Sequence, residues 1–158
     1  MTCTLHAMYK TNDDTPVVVR DQESLDKVID EVFETYLDDN AIFIIVERPK
    51  VEPNDLPDHQ LAIDLRLGCA VTAIYFIGET SSGEEGQWFS LNPHPIDDAP
   101  ELCYDLHTGD RFPANAVITM DDFRRALHEF MDNGGVRPDC IDWQPFRDNP
   151  ELTDSLSR

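Results

Sequence analysis

The chain has 158 residues, with 32 acidic against 12 basic side chains and a formal net charge of −20. That length suits one domain with an ordinary core, and an apolar fraction of 41% lies well above the disordered range. The charge argues against nucleic acid or an anionic membrane as a direct ligand and makes a basic protein the natural complement, while solubility and salt adaptation are the two bland readings of the same number.

In chain order, residues 4–9 alternate Leu5, Ala7 and Tyr9 against His6 and Met8, which predicts an edge strand. Asn12, Asp13 and Asp14 read as a turn, and residues 16–19 as a second short strand with Pro16 at its first position. Asp21 then has the place of a helix N-cap. Leu25, Val28, Ile29, Val32, Phe33, Tyr36 and Leu37 follow at helical spacing and predict an amphipathic helix of about four turns. Its outer face carries a ridge of Asp26, Asp30 and Glu34, four residues apart, as either a solvated face or a phosphate-mimicking stripe. Residues 41–46 are a near-continuous apolar run and predict a central strand. Pro49, Pro53 and Pro57 make residues 48–58 a loop.

Residues 60–106 are the organising stretch. Leu61, Ile63, Leu65 and Leu67 alternate with polar neighbours, and the segments 70–77, 87–91 and 101–106 follow, each bounded by Gly, Pro, Ser or Asp. This predicts a four-strand antiparallel meander. From Leu67 to Asp110 there is no Lys or Arg, while Glu79, Glu84, Glu85, Asp97, Asp98, Glu101, Asp105 and Asp110 are acidic. Thr119 then has the place of an N-cap, and Phe123, Ala126, Leu127, Phe130 and Met131 mark the apolar face of a second helix, stopped by Asn133, Gly134 and Gly135. Residues 136–143 predict a short final strand, with Trp143 buried against the second helix. The whole predicts an α+β domain over residues 1–146: a mostly antiparallel sheet of about six strands with two main helices packed on one face. A polar tail at 147–158, with Pro150 and Ser155, is expected to fray.

Chemistry is harder to find. The segment from Ser81 to Gly86 does not match a phosphate-binding loop, and its Glu pair would repel phosphate. The histidines lack metal-ligand spacing, so neither a metal nor a cofactor is expected. His94 with Asp97, or His107 with Asp105, could be drawn as acid/base pairs, but no nucleophile motif accompanies them. Cys3, Cys69, Cys103 and Cys140 form no CxxC pair and are expected to be buried free thiols. No signal peptide or membrane span is visible, which places the chain in the cytoplasm as an expectation. The sequence therefore argues for a binding module more than an enzyme.

The order of motifs carries a resemblance. An amphipathic helix, an apolar strand and a strand ending Ile74-Tyr75-Phe76 precede Gly86-Gln87-Trp88-Phe89-Ser90, an acidic strand with Tyr104, and Phe112-Pro113. A helix ending at Glu129–Gly135 and then Arg137-Pro138 and Asp142-Trp143 complete the pattern. In this the chain resembles Imm1, an immunity family of bacterial polymorphic toxin systems, over roughly residues 21–143. The resemblance implies a small cytoplasmic α+β protein, with no catalytic residues, that binds and neutralises a cognate toxin domain in a one-to-one complex. Many such toxins are deaminase-like and act on nucleic acid. A toxin of that kind needs a basic surface for phosphates, which carboxylates can occupy. The expected toxin-binding patch is Glu84, Glu85, Asp97 and Asp98, with Trp88 read either as a core residue of its strand, which is the commoner case, or as an aromatic anchor, and the alternative is the ridge Asp26, Asp30 and Glu34. An acidic regulator of some other basic protein is the runner-up, and a small hydrolase, marked by a buried His–carboxylate pair in a cleft, comes third.

Overall fold

The computed structural model describes residues 3–10 and 15–148. The turn expected at residues 12–14 and the tail from residue 149 on lie outside them. The strands are β1 (Leu5–Met8), β2 (Val17–Val19), β3 (Ala41–Ile45), β4 (Lys50–Val51), β5 (Leu56–Pro57), β6 (Gln60–Asp64), β7 (Val71–Glu79), β8 (Glu85–Leu91), β9 (Cys103–Asp105), β10 (Asp110–Arg111), β11 (Ile118–Thr119) and β12 (Asp142–Pro145). The helices are α1 (Gln22–Phe33) and α2 (Met120–Asp132).

The architecture is the expected α+β one. The main sheet is antiparallel throughout, in the order β12-β8-β7-β6-β3-β1-β2, and β11 pairs with the first residues of β7. Alternation along the strands sorts side chains to two faces. Leu5, Ala7, Phe43, Ile45, Leu61, Ile63, Ile74 and Phe76 point to the helix side, where they pack with Leu25, Ile29, Phe123, Leu127 and Phe130. Ala73 and Phe89 point the other way and meet Leu102, Tyr104, Phe112, Ala116 and Val117. The segment between β8 and α2 therefore covers part of the second face. Both helices begin with a side-chain cap: the Ser24 N–H donates to Asp21, and the Asp122 N–H to Thr119. No helix among the described residues is long and apolar enough to cross a membrane.

Several local expectations are corrected. The meander has three strands, β6, β7 and β8; the fourth place, beside β8, is taken by β12 through the register Trp143↔Ser90 and Pro145↔Trp88. β9 instead pairs with β10 in a ribbon of its own. Two polar side chains, one fully buried and one half-buried, pull it there. The fully buried Asp64 accepts from the Cys103 N–H (2.8 Å), and Asn40 donates to the Cys103 carbonyl (2.9 Å) while accepting from the Leu106 N–H (2.9 Å). β1 is not an edge strand, because β2 pairs along its outer side and leaves Val18 exposed instead. α1 stops at Phe33, where the Glu34 and Thr35 N–H groups bond back to the carbonyls of Glu31 and Val32; Leu37 is still buried, but Tyr36 is exposed. The proline-rich loop holds the short hairpin β4–β5. The cysteines are free but not fully buried: Cys69 is exposed and the others half-buried.

Candidate functional site

Antiparallel pairing gathers one set of loops at one end of the sheet. The 48–58 arm leaves β3 and returns as β6, and the 80–84 turn joins β7 to β8 at the same end. Arg48 ties them together. Its guanidinium bonds Asp58 at 3.0 and 3.1 Å, Glu79 at 2.8 Å and the Gly134 carbonyl at 3.3 Å, which brings the C-terminal end of α2 to the same place. Gly135 closes the junction at φ +93, with a hypothetical Cβ only 2.8 Å from Arg48 Cδ and 3.1 Å from Ile45 Cγ1, so only glycine fits there. The Arg137 N–H donates to the Glu79 carbonyl, and the Ser81 hydroxyl to Asp139 (2.8 Å). The turn and the loop after α2 are thus one surface.

The predicted patch is split. Glu84 and Glu85 are exposed at this end, Glu85 being the first residue of β8. Asp97 and Asp98 are exposed on the loop that leaves the other end of β8, a seven-residue strand, some 20 Å long. That loop folds over the second core, with Ile96 and Ala99 packed against it. Trp88 is half-buried rather than projecting. It stacks on Phe76 (6.2 Å between ring centroids), and the Arg137 guanidinium lies over it at 4.6 Å. Arg137 also sits 5.7 Å from Trp143, whose ring packs on Phe76 and whose indole N–H donates to the Pro138 carbonyl (2.7 Å). Two indoles and one guanidinium therefore hold the loop after α2 onto the sheet, a cation–π arrangement worth about 0.5–2 kcal/mol. Arg137, Trp88 and Trp143 of the sequence pattern thus form one cluster, and this commits the expected anchor Trp88 largely to the fold.

The ridge is also altered by its neighbours. Arg124 on α2 reaches Asp26 at 2.9 Å and Asp30 at 2.6 Å, and His128 Nε2 lies 2.7 Å from Asp26. The His128 hydrogen bond, then Arg124, holds the Asp26 carboxyl below the ordinary range. Glu34 alone of the three makes no ion pair among the described residues.

The imagined acid/base pairs do not form. Asp105 accepts from the backbone N–H groups of His107 and Thr108, and the His107 ring faces Asp39 instead. The His94 N–H bonds Asn92. A His–carboxylate pair does exist between the buried His59 and the half-buried Asp58, which the sequence did not reveal because it stands at the end of a proline-rich loop. The Asp58 carboxylate is 2.9 Å from Nδ1, and the Ile45 N–H donates to Nε2 at 2.8 Å. Both ring nitrogens are occupied, and the ring packs against Phe130, so the pair braces the arm against the core. Burial lowers the His59 pKa from its ordinary value, and its bond to Asp58 only partly offsets this. Burial alone would raise the Asp58 carboxyl, but Arg48 and His59 outweigh it and hold it below the ordinary range. Among the described residues no group of three His, Cys, Asp or Glu side chains is placed to hold a metal ion.

A sheet backed by two helices, with His59 and its indoles engaged in the fold and its loops lined with open carboxylates, has the build of a protein-binding module. The model of the immunity protein family Imm1 matches residues 13–145, and the chain belongs to that family. The match spans every element from β2 to β12, including the glycine and Arg137 junction described above. No curated protein matches the chain. Immunity proteins act by binding a cognate toxin.

Proposed function

We propose that this immunity protein neutralises a toxin domain that acts on nucleic acid, of the deaminase-like kind, through direct one-to-one binding that covers the toxin's substrate surface. The observation that carries this reading is an imbalance in how the charges are used. Arg48, Arg66, Arg111, Arg124 and Arg125 are each paired with carboxylates of the same chain. Glu84, Glu85, Asp97 and Asp98 are exposed and make no ion pair among the described residues. The surface left open is negative, and a nucleic-acid enzyme must present the complement to hold phosphates. Such complementarity speeds encounter and rejects partners of the wrong sign.

The test is displacement. A fluorescent oligonucleotide bound to the cognate toxin domain should be released by one equivalent of this protein, and base deamination by the toxin should stop at the same ratio. Neutralising Glu84 and Glu85 to Gln should weaken that displacement, and the separate pair Asp97→Asn with Asp98→Asn shows whether the far end of β8 also contributes. A stable ternary complex of toxin, oligonucleotide and this protein would overturn the reading that the substrate surface is covered.

A further inference from the structure

We propose that the β4–β5 arm is the apolar anchor of the complex, and that it seats in an apolar-floored recess within the basic cleft of the toxin. This rests on the immunity reading above and names the element that reading leaves open. In the arm, Val51 pairs directly with Leu56 and Lys50 with Pro57, so Val51 and Leu56 stand side by side on one face of the ribbon. They are 52% and 57% exposed, and residues 51–56 are exposed without a break. A two-stranded ribbon has no core of its own. The Arg48–Asp58 pair closes the base of the arm and His59 locks that base onto Ile45, so the arm is a braced projection. A single exposed aliphatic residue is ordinary; two of them paired on a braced projection form a contact surface.

The chemistry of the occupant follows from what surrounds the pair. Glu52 and Asp55 flank it on the tip. The Arg48–Glu79 bond holds the base of the arm beside the turn that carries Glu84 and Glu85. Carboxylates around an apolar centre fit a cleft with cationic walls and an apolar floor, in the manner of a hot spot ringed by polar contacts. The same carboxylates repel a nucleic acid or an anionic lipid surface. A second copy of this chain is disfavoured too, since each copy carries −20. Trp88, engaged with Phe76 and Arg137, leaves the anchoring place to Val51 and Leu56.

The experiment compares wild type with the double variant Val51→Ser, Leu56→Ser in binding to the purified cognate toxin domain, at two salt concentrations. The variant keeps the Arg48–Asp58 clamp and touches no buried residue. The arm predicts affinity at least about tenfold weaker, mostly through faster dissociation, with the salt dependence unchanged. Wild-type and variant affinities that agree overturn the anchor while the immunity reading stands. Failure of wild type itself to bind overturns both. Hydrogen exchange on the wild-type complex covers the case of a misfolded variant. Protection of residues 49–57 on adding toxin supports the anchor, and protection confined to the outer face of α1 overturns it.

Discussion

His59 shows how one buried side chain ties the candidate surface to the fold. Its Nε2 must stay unprotonated to accept from Ile45, and burial pushes its pKa below the ordinary 6.5. In the unfolded chain the same ring takes a proton near that ordinary value. Between the lowered folded value and 6.5, the unfolded state therefore binds more protons, so stability from this residue is complete above 6.5 and is lost as pH falls below it. Acidification also relaxes the self-repulsion of a highly negative chain, so the two effects must be separated by comparison. The stability difference between wild type and His59→Gln, from urea unfolding, should shrink as pH falls from about 7 to about 5. A difference that stays constant across that window would contradict the role given to His59.

Among the elements, β9 is the most informative, because it is where sequence patterning and structure part. Alternation in residues 101–106 has the right period for a strand and nothing in it to say which neighbour the strand takes. The choice lies in Asp64 and Asn40, which are distant in sequence and hold β9 by its backbone. Asp64 also accepts from the Leu65 N–H at 2.8 Å and lies 3.0 Å from Arg66. Replacing Asp64 with Ala leaves two backbone donors unpaired and should cost about 3 kcal/mol, read as a lower midpoint in urea. Loss of less than about 0.5 kcal/mol would mean that water or another group serves those donors. The helices, by contrast, were legible. The 3.6-residue apolar stripe, the Asp21 and Thr119 caps and the Gly134–Gly135 stop all stand where the sequence puts them, because each acts within a few residues of itself. The early end of α1 and the place of β12 beside β8 depend on contacts made across the chain, which no local window contains.

On the scale of the whole molecule, charge and connectivity carry the proposed function. The net charge of −20 was readable at once, and so was the shortage of cations between Leu67 and Asp110. Which carboxylates remain open was not, because that depends on long-range pairing: Arg124 reaches Asp26 and Asp30 from the other helix, and Arg48 reaches Glu79 from the other side of the sheet's centre. Likewise Glu84 and Asp97 looked close in sequence terms, yet β8 runs between them. The arm went unnoticed because three prolines in residues 48–58 mask a hairpin whose only strand-like feature is the pair Val51 and Leu56. In this account Arg48, Arg66, Arg111, Arg124 and Arg125 are paired within the chain, and the open carboxylates Glu84, Glu85, Asp97 and Asp98 are proposed to meet a partner. Calorimetric titration of the intact protein into the purified cognate toxin domain, at a low and a high salt concentration, tests this most directly. The account predicts tight one-to-one binding that weakens clearly as salt screens the carboxylates. Binding indifferent to salt would contradict the electrostatic surface, and absence of binding at both concentrations would contradict neutralisation by direct capture.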